Sequence, residues 1–216
     1  MKTAQRILAT SLALFNEHGE SSVTSVDIAN ELDISPGNLY YHFKGKEQIV
    51  DALYSLHRSQ MEHLLSQLNS ASLNLEESFY YFYLLLEKLH LYRFLYRSPL
   101  DLMEKYPMLR KGHHRMVSAL ERALLMLMQN AVEQKSIRAK ASELPSLVEL
   151  CSAVMLQSSQ YYQIKQKFDE ETQIYSALGL LLALLLPRIT IDSAHLSQLQ
   201  NDIAAHTFSR HEQGVL

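Results

Sequence analysis

The chain has 216 residues, 47% of them apolar, with 5 Pro, 6 Gly and a formal net charge of −3. That length suits one or two domains with a sizeable core, and the scarcity of helix breakers and of period-two alternation points to an all-α fold. The single cysteine, Cys151, excludes an internal disulfide framework, and the longest apolar run, Ala177–Leu186, is too short to cross a bilayer; with no basic-then-apolar leader, a cytoplasmic protein without membrane association is expected.

The first predicted helix is Lys2–His18, with Ile7, Leu8, Leu12 and Phe15 on its apolar face and Gly19 at its end. Thr24 to Lys46, TSVDIANELDISPGNLYYHFKGK, reads as two short helices joined by a tight turn. Thr24 and Ser25 can cap the first helix, with Asp27 in its first turn, where the helix dipole favours negative charge. Ile28, Ala29 and Leu32 share one face, and Asp33-Ile34 turns the chain. Ser35 caps the second helix and Pro36 takes its first position, where a missing N–H costs nothing. Leu39 and Phe43 anchor this helix inward, leaving Pro36, Gly37, Asn38, Tyr41 and His42 outward or at its N-terminus.

This is the pattern of a helix-turn-helix, whose second helix contacts bases through its N-terminal residues. Gly37 permits close backbone approach, and Asn38 suits bidentate contact with adenine. Tyr40, Tyr41 and His42 can donate to phosphates, with Lys44 and Lys46 adding charge. The candidate DNA-contacting set is therefore Thr24, Ser25, Ser35, Pro36, Gly37, Asn38, Tyr40, Tyr41, His42, Lys44 and Lys46. The plainer alternative is an αα-hairpin in a helical core; the agreement of caps, Pro, Gly and aromatic–basic order argues against it. Charge pulls the other way. Residues 1–50 carry Lys2, Arg6, Lys44 and Lys46 against Glu17, Glu20, Asp27, Glu31, Asp33 and Glu47, so the positive field must be local and the phosphate contacts few.

These residues resemble the N-terminal domain of the TetR family of bacterial regulators. The matching positions are Ser25, Ile28-Ala29, Ser35, Leu39-Tyr40-Tyr41-His42-Phe43 and Lys46-Glu47; Asp33 departs, standing where the family commonly has Gly. The stretch Ile34–Phe43, with Tyr92-Arg93-Phe94-Leu95-Tyr96 further on, is also similar to the PhaD-type regulators of polyhydroxyalkanoate genes within that family. The resemblance implies a homodimeric repressor on a double-stranded DNA operator. Its release would follow binding of a small effector, here a fatty-acid-derived or acyl-type metabolite.

Lys46 to about Ser70 reads as a long amphipathic helix with no flexible linker before it, so the boundary is set by function: 1–46 as the helix-turn-helix three-helix domain, 47–216 as a helical ligand-binding and dimerisation domain. The next helix, about Leu75–Arg97, is apolar or aromatic nearly all round and should be central. One stripe of it carries Tyr83, Leu86, His90, Arg93 and Arg97. Two readings stay open for its arginines: ion pairs with Glu87, Asp101 or Glu104 or snorkelling to solvent, or the anion-recognising end of a ligand cavity. A short helix follows over Ser98–Tyr106, then a long one from Met108 to about Lys135. Met103, Met108, Met116, Met126 and Met128 suit either an adaptable pocket or ordinary core filling. The candidate ligand-lining set is Tyr83, Leu86, His90, Arg93, Met116 and Leu120.

Gln134–Ser142 reads as a loop. Ser142 and Asp169 can cap two strongly apolar helices, near 143–167 and 169–186, with Pro187 ending the second. They carry more apolar surface than one small domain would bury, and the resemblance implies that they form the dimer interface. Asp192–Leu216 is expected to add one short helix and a frayed end. The ten histidines lack metal-ligand spacing, and neither a Gly-rich phosphate loop nor a Gly-x-Ser-x-Gly elbow is present. Neither an enzyme, a metal nor a cofactor is expected, and Cys151 reads as a small core residue.

Overall fold

The computed structural model describes residues 2–68, 73–167 and 169–208. Its regular elements are all helical: α1 Thr3–His18, a 3₁₀ turn at Glu20–Ser22, α2 Ser25–Glu31, α3 Pro36–His42, α4 Lys46–Leu68, α5 Leu75–Leu91, α6 Phe94–Arg97, α7 Pro99–Lys105, α8 Met108–Glu133, α9 Leu144–Ile164, α10 Glu170–Leu185, a 3₁₀ turn at Leu186–Arg188, and α11 Ser193–Ala204. One antiparallel bridge, Ile137 with Ile189, ties the loop after α8 to the end of α10. Residues 209–216, the expected frayed end, lie outside the described residues.

Local chemistry accounts for several helix ends. Thr24, Ser35, Asp169 and Asp192 cap α2, α3, α10 and α11 with side-chain oxygens that accept backbone N–H groups. The expected Ser142 cap is one place out: α9 begins at Leu144 after Glu143, without a side-chain cap. Among the described residues four helices end on a left-handed non-glycine residue, namely Asp33, Lys135, Gln166 and His206. At each, that residue's N–H returns to the carbonyl three back and the next N–H to the carbonyl five back. This is the Schellman closure, here formed without its usual glycine.

Packing divides the chain into two compact units, Met1–Gln60 with Tyr92–Arg115, and Met61–Leu91 with Met116–Leu216. The expected partition at residue 46 does not follow this packing, because the first unit recruits a distant segment. The Phe94 amide donates to Asn16 Oδ1 of α1 at 3.1 Å, and the Phe15 and Phe94 rings lie 5.4 Å apart. That captured amide also explains a correction: the helix expected to run to Arg97 stops at Leu91. Leu95 and Tyr96 then bond to the carbonyls of Tyr92 and Arg93, three residues back, as in a tighter turn. Ile7, Phe15, Ile28, Ala29, Leu39, Ile49, Val50 and Leu53 fill the core of this unit.

In the second unit α5 packs against both α9 and α10. Phe79, Leu85 and Leu89 of α5 are buried, as are Cys151, Met155, Leu178 and Leu181. This bears out the reading of α5 as a central helix. Cys151 is fully enclosed, and burial pushes its thiol up to about 12, which removes the thiolate a nucleophile needs. Among the described residues no helix is long and apolar enough to cross a membrane.

Two packing features of the first unit yield predictions. A methyl group on Gly112 of α8 would overlap the Tyr54 hydroxyl and come within 2.9 Å of two of its ring carbons. Gly112→Ala is expected to cost about 1–3 kcal/mol by overpacking, read by urea denaturation, with Tyr54→Phe relieving part of the loss. His57 is wholly enclosed, its Nε2 2.7 Å from the Tyr96 hydroxyl, and its Nδ1 has no hydrogen-bond partner among the described residues. Burial, then the nearby His113, pull its pKa down to about 3; burial lowers His113 as well. The unfolded chain takes up these protons near pH 6.5 and the folded chain does not. Their contribution to stability is therefore complete above that pH and is lost as pH falls towards the folded values. Unfolding free energy should drop between pH 7 and pH 5 by up to about 1.4 kcal/mol per pH unit per histidine, and a His57→Gln variant should show a shallower slope.

Candidate nucleic-acid interface and effector site

The Thr24 hydroxyl accepts the Asp27 amide at 3.2 Å, while Asp27 Oδ2 accepts both the Thr24 amide and hydroxyl at 2.7 Å. Those bonds start α2 and hold the Asp27 carboxyl below its ordinary range. Asp33, with φ 53, closes α2: its N–H bonds to Asn30 at 3.1 Å and that of Ile34 to Ala29 at 3.0 Å. Ser35 Oγ then accepts the Asn38 amide at 3.1 Å, with Pro36 in the first position. The turn residue and the two caps thus set where α3 begins.

The consequence is an open face on α3. Leu39 is its buried anchor, 2% exposed; Phe43, expected to share that task, is only half-buried. Ser35, Pro36, Gly37 and Asn38 are exposed at its N-terminal turn, and the Asn38 side-chain amide has no partner among the described residues. Tyr40 is 57% and Tyr41 77% exposed. Lys44 Nζ lies 5.0 Å from the centre of the Tyr40 ring, and the half-buried His42 meets Tyr41 edge-on at 5.2 Å. Thr24 is exposed and Ser25 half-buried at the start of α2.

Lys46 differs from this group. Its ammonium donates to the carbonyls of Glu20 and Val23 at 2.8 and 2.7 Å and lies 2.8 Å from Glu20 Oε1. An ammonium has three hydrogens, and all are used within the fold. Glu20, Lys105 and Tyr106 complete this cluster. Sequence reasoning missed them, since nothing local in the chain marks residues so far apart as neighbours.

The ligand-lining set is not brought together as one stripe. With α5 ending at Leu91, Arg93 sits half-buried in the turn before α6, in the first unit, and Arg97 is exposed beyond it. The other candidates, Tyr83, Leu86, His90, Met116 and Leu120, are all buried in the second. Tyr83 belongs to an aromatic cluster, 5.4 Å from Tyr175 and 6.2 Å from Phe208. Tyr83 and His90 also line a cavity of about 320 Å³ with Glu87, Leu91, Glu170, Glu171 and Ile174, and His90 Nε2 lies 3.7 Å from Glu170. Three carboxylates there oppose an anionic head group. Of the methionines that suit either a pocket or core filling, Met116 and Met128 are buried, while Met108 and Met126 are 45% and 39% exposed.

A family profile described as bacterial transcriptional repressor, TetR, matches residues 56–196, and one described as bacterial regulatory proteins, tetR family, matches residues 7–53. A probable acrEF/envCD operon repressor of Escherichia coli K12 is 35% identical over 72 residues, which is 32% of this chain and 33% of that protein. The chain thus spans about a third of the length of the curated relatives it matches. In three dimensions it is similar to a TetR-family transcriptional regulator of Marinobacter aquaeolei VT8, with a TM-score of 0.82 at 24% identity over 93% of this chain and 98% of the other. A candidate fatty acid metabolism regulator of Clostridium perfringens superposes with a TM-score of 0.58 at 20% identity over 87% of this chain and 100% of that one. At these identities the two structures speak to the fold.

The left-handed Asp33 carries a steric cost that glycine would not. Asp33→Gly is expected to stabilise the protein by roughly 0.5–1 kcal/mol, the relief of strain exceeding the added freedom of the unfolded chain. Thermal denaturation beside the parent protein checks this.

Proposed function

This chain belongs to the TetR family of bacterial transcriptional regulators, and we propose that it acts as a homodimeric repressor that reads operator DNA through α3 and leaves it on binding a small effector. The carrying observation is the open N-terminal turn of α3. Ser35 and Pro36 fix its start, Gly37 adds no side-chain bulk, and the uncommitted Asn38 amide suits the N6 and N7 edge of adenine. Tyr40, Tyr41, His42 and Lys44 supply donors for flanking phosphates, with Thr24 and Ser25 at the α2 start. Lys46 supports that surface from within rather than touching DNA.

Two-fold pairing would present two copies of α3 to two half-sites. The partner surface we assign is the outer face of α9 and α10. Leu150, Tyr161 and Ile164 of α9 are 49%, 50% and 83% exposed, and Leu180 of α10 is 42% exposed. Among the described residues no atom outside its own helix lies within 4 Å of where a Cβ on Gly179 would sit, which leaves room for a second helix to approach.

The effector we favour is small and apolar, with an acyl chain from fatty-acid or polyhydroxyalkanoate metabolism as the specific case. Leu86, Met116 and Leu120 would meet such a chain. The fatty-acid role described for the Clostridium neighbour points the same way. The cavity at Tyr83 and His90, lined also by Glu87, Glu170 and Glu171, would disfavour an anionic head group. The effector need only prefer the DNA-incompetent state, by as much as it derepresses. Helix α4 is a continuous element for that coupling, beginning in one unit and ending in the other.

Asn38→Ala should weaken binding to a duplex selected by the parent protein by about 1–3 kcal/mol, and Tyr41→Ala should weaken it more evenly across sequences. Affinity that ignores both changes would favour a helical ligand-binding or scaffold protein without specific DNA recognition. Leu180→Arg should convert the dimer to monomer in analytical ultracentrifugation.

A further inference from the structure

We propose that Glu20 is a positioning residue for DNA recognition, its carboxylate linking α7 to the base of the α2–α3 hairpin so that the setting of α7 is felt at α3. The inference rests on the DNA-binding reading above.

Glu20 lies in the 3₁₀ turn after α1 and is 7% exposed. Its oxygens accept from Lys46 Nζ at 2.8 Å, from Lys105 Nζ at 3.0 and 3.1 Å, and from the Tyr106 hydroxyl. The same Lys46 ammonium holds the Val23 carbonyl at 2.7 Å. Val23 immediately precedes the α2 cap, and Lys46 opens α4 just beyond α3. One ammonium therefore closes the hairpin at its base, and one carboxylate fastens that closure to the last turn of α7.

The cluster is polar and directional. Packed hydrocarbon could hold these segments together as firmly, whereas a buried carboxylate with fixed donors specifies one register among them. A cavity of about 220 Å³ adjoins the cluster, lined by Glu20 and Lys105 themselves and by His18, Arg97, Asp101 and Leu102 among others. It leaves α7 free of close packing along part of its length. Displacement of Lys105 and Tyr106 would shift Glu20, then Lys46, then the start of α4 and the end of α3.

The test compares full-length parent, Glu20→Gln, Lys105→Met, Lys105→Arg and Gly112→Ala. The probes are a duplex that the parent selects from a random-sequence pool and a scrambled duplex of equal length. Melting temperature and salt dependence are recorded for each protein. Gly112→Ala strains the same unit without touching the cluster, so it reports what lost stability alone does. Glu20→Gln and Lys105→Met should lose about tenfold in the ratio of selected to scrambled affinity, well below their melting temperatures; Lys105→Arg should stay within about twofold, and Gly112→Ala should keep the ratio.

Equal ratios in all five proteins, or losses that merely track melting temperature, overturn the proposal. So does a Lys105→Met loss that is equal on both duplexes with a reduced salt slope, the mark of a missing phosphate contact. Should Glu20→Gln fail to fold, Lys105→Met decides, because its side chain is 46% exposed. A parent that selects no duplex removes the DNA-binding reading itself, and this inference with it. A parent that binds while the variants keep their ratio removes the inference alone.

Discussion

A buried carboxylate surrounded by two ammonium groups and a phenol sets the frame of the first unit. Burial by itself would raise the pKa of Glu20, but hydrogen bonds from Lys46, Tyr106 and Lys105, together with the Lys46 charge, outweigh it and hold the group below the ordinary carboxylate range. The counterpart effect falls on Tyr106, whose phenol is driven upward by burial and by Glu20. Each partner makes the charge state of the other more secure. Because Glu20, Lys46 and Lys105 stand on separate helical segments, that security becomes geometry: the 3₁₀ turn after α1, the first residue of α4 and the last of α7 are held at hydrogen-bonding distance.

The same cluster bears on how a carboxylate-rich segment can carry the open α3 face proposed to read DNA. Counted over the first 50 residues, carboxylates outnumber cations. Yet Glu20 is turned inward and neutralised, and Asp27 is spent on the α2 cap. What α3 and the residues just after it offer outward is an amide, two phenols, an imidazole and Lys44. Such a surface offers hydrogen bonding more than net charge, and Lys46, which by composition belongs with the other cations of this segment, instead bonds Glu20 and Val23 within the fold.

Helix termini show how local rules combine with tertiary demand. The caps at Thr24, Ser35 and Asp169 use side chains that favour those positions in any context. The left-handed closures at Asp33, Lys135, Gln166 and His206 accept a conformational cost that glycine would avoid. Asp33 was legible as a tolerable departure from glycine, because a short polar side chain fits that region. Nothing local marks Lys135 or Gln166 in the same way; there the two returning hydrogen bonds and the packing of the following segment outweigh the preference.

The sequence by itself determined the all-α class, the two short helices of the helix-turn-helix with their caps and turn, the centrality of α5, and the apolar excess of α9 and α10. These follow from periodicity, capping chemistry and turn residues, all carried within a few positions of one another. Only the tertiary structure decided that the α5 helix stops at Leu91, that Lys46 points inward, that residues 92–115 join the first unit, and that Arg93 leaves the stripe shared with Tyr83, Leu86 and His90. Each of these turns on a contact between residues far apart in the chain: Asn16 with Phe94, Glu20 with Lys46 and Lys105, His57 with Tyr96. A helix pattern shows which side chains share a face, but a distant amide, carboxylate or imidazole settles where the helix ends and what a charged side chain meets.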